Sequence, residues 1–318
     1  MKKNILITGV NGFIGKNLCN YLTSKEFNVY GIDNFYSSKK KDVQLIKSKN
    51  LIFKEKSILD KNIFKESPIN IDTVVHLAAQ TSVARSFKKK EENDKINIKG
   101  FENMLLLCAQ NDVKNFIFAS SCAVYGDSNL NPKSEKYSKL FPKSPYAKSK
   151  IENEKFSKSE LFNKINIIGL RLFNIYGPLQ DSSSEYSAVI SRWVSNLMQN
   201  KNCKIFGDGN NTRDFCYIDD LCKLMEILIY KKESKGIFNF CTQKPSSLIF
   251  LYNIMCKCFE ELGIKKKNMS PIFKRKRDGD ILSSYGDNSK LYSKFNFKPE
   301  IGLKSGIKKI LKLNYEKL

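Results

Sequence analysis

At 318 residues, 41% of them hydrophobic, the chain is long enough for one large domain or two closely packed ones. Its net charge of +23 invites a nucleic-acid partner, but only six of the 55 basic residues are arginine, and the lysines are spread in runs such as 39–41, 88–90 and 265–267, the pattern of solvated faces rather than of a phosphate-reading surface. Nine cysteines without a Cys-x-x-Cys pair and a single histidine argue against a metal centre and for reduced, buried thiols in the cytoplasm, while the absence of a long apolar run and the direct passage from Lys2-Lys3 into the first strand predict neither membrane span nor signal peptide.

Residues 4–8 form an apolar run of strand type. Gly9, Gly12 and Gly15 follow, and then Leu18, Cys19, Tyr21 and Leu22 at helical spacing. The next apolar segment, residues 29–32, ends in Asp33, 18 residues after Gly15. Strand, glycine-rich turn, helix, strand and acid in this order are a dinucleotide-binding start. The glycines allow a tight turn, close approach of a pyrophosphate and close helix packing, and the anion meets the N–H groups at the helix start, those of Phe13 and Ile14. Asp33 is placed to accept hydrogen bonds from both ribose hydroxyls and would repel a 2′-phosphate, so NAD is favoured over its phosphorylated form.

Residues 72–79 read as a buried strand, with His76 near its end more readily packed than catalytic. A helix is predicted over 91–111, a strand over 115–119 with Ser120 and Ser121 at its C-terminal end, a helix from Tyr146 to about Phe162, and a strand over 165–173. Tyr146 and Lys150, four residues apart, share a helix face. The ammonium is expected to lower the phenol toward neutrality, making Tyr146 a general base for a hydroxyl group. The alternation implies an α/β fold with a doubly wound parallel sheet. Residues 174–217 and those after about 244 break it, so two regions are expected: 1–173 with 218–243, and a smaller discontinuous lobe of 174–217 with 244–318.

Thr8-Gly9-x-x-Gly12-x-x-Gly15, the His76-Leu77-Ala78-Ala79 strand end, Asn97, Ser120-Ser121 and Tyr146-x-x-x-Lys150 together resemble the extended short-chain dehydrogenase/reductase family, in its NAD-dependent epimerase/dehydratase branch. The resemblance covers essentially the whole chain. Residues 171–178, 207–209 and 213–215 look like the family's nucleotide-sugar branch, and within that branch 186–193 followed by 213–218 are similar to bacterial UDP-N-acetylglucosamine 4-epimerases of surface-polysaccharide pathways. It implies a Rossmann-type sheet, NAD held through Gly9, Gly12, Phe13, Ile14, Gly15, Asp33, Asn34, Ile58, Leu77, Ala78, Ala79, Asn97, Tyr146 and Lys150, and catalysis by Ser121, Tyr146 and Lys150. In the implied reaction Tyr146 takes the proton from the sugar O4, Ser121 hydrogen-bonds O4, and Lys150 holds the nicotinamide ribose. The 4-keto sugar turns over and is reduced from its other face.

The resemblance also places the UDP-sugar against Ser82, Asn174, Ala188, Val189, Trp193, Arg213, Arg277 and Asp280, with Trp193 equally readable as core. Related dehydratases carry Asp-Glu after the hydroxyl residue and related decarboxylases a Glu at the second position. Here Cys122 and Ala123 stand there, which leaves 4-epimerisation. A bulky Tyr closes the pocket of epimerases restricted to plain hexoses. Ser284 at the matching place leaves room for a 2-acetamido group, so UDP-GlcNAc/UDP-GalNAc is expected. UDP-glucose, or a UDP-hexuronic acid held by Arg85, is the alternative. Ser57, where the family has Asp, weakens the expected adenine contact. A homodimer through helices near 95–111 and 145–160 is implied, although their apolar positions equally suit sheet-facing core.

Overall fold

The computed structural model describes residues 3–46, 48–128, 130–181, 189–264, 270–275 and 283–315. Two compact units divide the chain: residues 1–127, 139–172 and 222–238, and residues 128–138, 173–221 and 239–318.

The first unit is built on a seven-stranded sheet. Its strands are β1 (Asn4–Thr8), β2 (Asn28–Asp33), β3 (Leu51–Glu55), β4 (Thr73–His76), β5 (Asn115–Ser121), β6 (Asn166–Leu172) and, later in the chain, β10 (Gly236–Phe240). The spatial order is β10-β6-β5-β4-β1-β2-β3, and the pairs from β6 to β3 are parallel. Strands buried on both faces read as continuous apolar runs, which is why residues 4–8 and 115–119 show no alternation. Leu6, Val74, Phe116 and Phe118 join one core cluster with Phe101, Met104, Leu105 and Cys108. The pleat sends the intervening Ile5, Ile7, Val75 and Ile117, all 0% exposed, to the opposite face.

The helices of this unit are α1 (Phe13–Ser24), α2 (Val83–Lys88), α3 (Lys90–Asp94), α4 (Gly100–Gln110) and α5 (Pro145–Phe156). The helix predicted over 91–111 runs through α3 and α4 without a break, with one wider π turn over Lys95–Lys99 at Asn97. The helix predicted to Phe162 stops at Phe156. Ser159 then caps a short 3-10 turn, and Phe162 folds back against Phe156 with ring centroids 5.2 Å apart. A buried Phe162 mimics helical periodicity without belonging to the helix.

The second unit contains β7 (Asn174–Tyr176), α6 (Val189–Met198), β8 (Lys204–Phe206), β9 (Thr212–Tyr217), β11 (Pro245–Ser247), α8 (Leu248–Glu261), β12 (Ile272–Lys274), β13 (Ser283–Ser284), α9 (Ser289–Phe295) and α10 (Leu303–Tyr315); α7 (Ile218–Tyr230) leads out of it. β9 is the hub, paired with β11, β13 and β7. Asp214, 0% exposed, ties the hub together by accepting from the Thr242 hydroxyl at 2.5 Å and from the amides of Thr242, Gln243 and Gly286. Residues 128–138, which the sequence reading leaves with the first region, group with this unit because Lys133 exchanges backbone hydrogen bonds with Tyr285 and Asp287.

Candidate active site

Gly9, Asp33, Leu77 and Ser121 stand at or just beyond the carboxyl ends of β1, β2, β4 and β5. β1 is flanked by β2 on one side and β4 on the other, so this edge is the switch point where open parallel sheets collect ligands. Gly9 has φ +69°, and a Cβ there would lie 2.8 Å from the Ala78 amide nitrogen. The Leu77-Ala78 backbone therefore passes directly over the glycine turn. It is held there by Thr8, whose hydroxyl oxygen accepts from the Leu77 and Ala78 amides at 3.2 Å. α1 begins at Phe13 with no side-chain cap among the described residues, leaving its first N–H groups to an anion.

The pocket fits the ribose-pyrophosphate part of a dinucleotide. Asn11 Oδ1 is buried there without a hydrogen-bond partner among the described residues. The Asp33 carboxylate accepts from the Asn11 amide at 3.0 Å, the Phe35 amide at 2.8 Å and the Ser38 hydroxyl at 3.2 Å. A carboxylate has about four acceptor sites, so about one remains for a ribose hydroxyl, rather than the two expected from the sequence. Asn34 is exposed, and its side chain accepts from the Tyr36 amide. Ile58 is core, packed into the space left by Gly100. Asn97, on the π turn, gives both ends of its amide to the Gln80 backbone at 2.8 and 2.9 Å, so it shapes the loop after β4. Ala79 lies between that loop and Ala78. Ser82 caps α2 through the Arg85 amide.

Ser144 caps α5 and Pro145 opens it, presenting Tyr146 and Lys150 on one face toward the end of β5. Ser121 Oγ accepts from the Ala123 amide at 3.1 Å and faces the Tyr146 phenol. Burial nevertheless pushes the Tyr146 phenol up to about 12, with Ser121 only partly offsetting it. This corrects the expectation that Lys150 lowers it. The Lys150 ammonium donates instead to the Ala119 carbonyl at 2.8 Å and lies 5.8 Å from the Tyr146 ring centre. Burial pulls that ammonium down to about 8, and Glu154 opposes the pull.

Glu154 was not legible as a site residue. It lies four residues after Lys150 and is 4% exposed. Its carboxylate accepts from the Ser120 hydroxyl at 2.5 Å and from Arg171 at 2.9 and 2.7 Å. The signal was present as a second i+4 step after Tyr146 and as one of six arginines. His76 is packed, as expected. Thr8 Oγ1 already accepts two amides, so its proton goes to His76 Nδ1 at 3.0 Å, which makes the imidazole neutral with its proton on Nε2.

In the second unit three residues far apart in sequence meet on β9. Asn174 is in register with Phe215 and donates to the Asp214 carbonyl at 3.2 Å, while Ser284 is in register with Arg213. Arg213 donates to the Thr212 carbonyl. Trp193 is 2% exposed and packs edge-on against Tyr252, a core position. Val189 opens α6 and is partly exposed. Ala188, Arg277 and Asp280 lie outside the described residues.

Residues 5–241 match the model of the NAD dependent epimerase/dehydratase family. A Methanocaldococcus jannaschii protein named for UDP-glucose 4-epimerase is 34% identical over 96% of this chain and 97% of its own. Among solved structures, a UDP-N-acetylglucosamine 4-epimerase from Methanobrevibacter ruminantium, in complex with UDP-N-acetylmuramic acid, superposes with a TM-score of 0.90 at 29% identity over 100% of both chains. A UDP-glucuronic acid 4-epimerase from Bacillus cereus, in complex with UDP-glucuronic acid and NAD, superposes with a TM-score of 0.85 at 26% identity over 99% of this chain and 100% of that one.

Proposed function

We propose a function from one premise: the chain belongs to the NAD-dependent epimerase/dehydratase family, an enzyme family whose cofactor is NAD. The reading is C4 epimerisation of a UDP-hexose through a transient 4-keto sugar, with UDP-GlcNAc/UDP-GalNAc as the pair. The observation that carries it is Ser121, at the end of β5, facing the Tyr146 phenol with no carboxylate at the two positions that follow it. Cys122 and Ala123 follow Ser121, and neither can remove water or carbon dioxide from C5 or C6 of a sugar.

Bound NAD supplies a reversible two-electron acceptor and, in its oxidised form, a positive charge that favours the Tyr146 phenolate. Tyr146 exchanges the O4 proton. Ser121, fixed by the Ala123 amide, holds O4. Lys150 spends one N–H on the Ala119 carbonyl and keeps two for the hydroxyls of the nicotinamide ribose. Thr8, through Leu77 and Ala78, closes the glycine turn that takes the pyrophosphate.

The register of Ser284 with Arg213 supports the acetamido sugar, because it sets a small side chain beside the arginine read as a diphosphate ligand. The hexuronate alternative loses ground at Arg85. Its guanidinium bonds Glu92 at 2.8 Å and stacks over Tyr36 at 4.6 Å, so it is already engaged. Reduced thiols fit cytoplasmic work in polysaccharide biosynthesis, and the family resemblance supports a homodimer.

The test is separate incubation with UDP-GlcNAc, UDP-glucose and UDP-GlcNAc uronate, with products resolved chromatographically, for the parent and Ser284→Tyr. UDP-GlcNAc should interconvert with UDP-GalNAc fastest, and the variant should lose about tenfold or more of acetylated turnover relative to plain. An unchanged ratio removes the role of Ser284. Preferential turnover of the uronate contradicts the choice of sugar.

A further inference from the structure

Three consecutive residues at the end of β5 are laced to one face of α5. Ser121 faces Tyr146, the Ala119 carbonyl accepts from Lys150, and Ser120 donates to Glu154. Tyr146, Lys150 and Glu154 are spaced four residues apart, so all three lie on one face of α5. Glu154 is anchored from the neighbouring strand. Arg171 on β6 is in register with Ser120, grips both oxygens of Glu154, and donates its remaining arm to the Tyr125 hydroxyl at 2.8 Å. Glu154 and Arg171 are 4% and 6% exposed.

A buried ion pair of this kind is a poor stabiliser, since well-packed apolar residues of the same volume hold two elements together as well or better. Its value lies in the fixed charge. Among the described residues, Glu154 is the one charge that raises Lys150 against the pull of burial. Two other titratable groups near the ammonium, His76 from β4 and Tyr146 on the same helix, are held neutral by burial. On the helices packed against α5, Glu92 pairs with both Arg85 and Lys89.

We propose that Glu154, locked by Arg171, is the positioning residue of this site: it keeps the Lys150 amine charged and sets the register in which α5 offers Tyr146 and Lys150 to the end of β5. The inference rests on the epimerase reading for its substrate but not for its electrostatics.

The experiment compares parent, Glu154→Gln and the double variant Glu154→Gln/Arg171→Met, each loaded with NAD. UDP-sugar turnover and NAD retention are followed between about pH 6 and 10, alongside urea denaturation. In Glu154→Gln the alkaline limb of kcat/KM and of NAD retention should move acidward by about one pH unit, and stability should fall because Arg171 is left buried and unpaired. The double variant should regain the stability and keep the displaced limb. Recovery of both in the double variant, or a loss of activity in Glu154→Gln that is uniform across pH, means that the pair is structural and overturns the proposal. A parent that turns over no UDP-sugar removes the epimerase reading alone, because NAD retention still reports the titration of Lys150.

Discussion

His76 is the chain's single imidazole, and its surroundings fix its state completely. Burial, with a smaller push from the Lys150 charge, pulls it down to about 3 from an ordinary 6.5. It stacks on Phe116 with centroids 5.8 Å apart and meets the edge of Phe101 at 5.5 Å. The unfolded chain binds a proton below pH 6.5 that the native state refuses until about pH 3, so stability must fall as pH drops through that window. The loss should reach roughly 3 kcal/mol at about pH 4. His76→Asn should flatten this acid limb in denaturation measured from pH 7 to 4, whereas an unchanged limb would show that other groups carry it. The sequence supports a packed His76 because a histidine near the end of a buried strand has few other options. It misleads about Tyr146 and Lys150: an i+4 spacing brings two side chains to one face but says nothing of the Ala119 carbonyl that captures the ammonium, nor of the burial that moves both groups away from their charged forms.

At the scale of elements, the glycine turn and α1 form one unit, and Gly15 is its tightest point. A Cβ at Gly15 would sit 2.2 Å from the Gly9 carbonyl oxygen and 2.8 Å from the Val10 Cα, both backbone atoms that have nowhere to go. Gly15→Ala should therefore cost about 1–3 kcal/mol in urea denaturation and lower the NAD content of the purified enzyme. Gly100→Ala, whose new Cβ meets only the side chain of Ile58, should cost less and spare the cofactor. Equal losses for the two would contradict this account of the turn. The strands and α1 were legible because each is announced by a buried apolar run or a helical repeat beside a glycine. The π turn at Asn97 was not: the Asn97 side chain it carries bonds the Gln80 backbone, 17 residues away, and no local pattern encodes that. Glu154 escaped for a similar reason. A glutamate on a lysine-rich helix reads as solvated until Ser120 and Arg171 are seen to enclose it.

At the scale of the molecule, the two units differ in how much of them a sequence reader can see. The first is parallel and regular, and its site residues lie at strand ends in chain order. The second is assembled on β9 from pieces 40 to 71 residues away, so the meeting of Asn174, Arg213 and Ser284 depends on pairing that only the folded chain reveals. No helix among the described residues is long and apolar enough to cross a membrane. The central claim is that Ser121, Tyr146 and Lys150, working with NAD held on the glycine turn, invert C4 of a UDP-sugar and lose nothing from it. It is tested most directly with UDP-GlcNAc carrying deuterium at C4, mixed with unlabelled substrate and incubated with the parent enzyme and with Tyr146→Phe. The account predicts UDP-GalNAc that keeps the deuterium on C4 without dilution, and a loss of about 100-fold or more in Tyr146→Phe with NAD content unchanged. A dehydrated product, deuterium diluted into the unlabelled sugar, or near-parental turnover in Tyr146→Phe would contradict it.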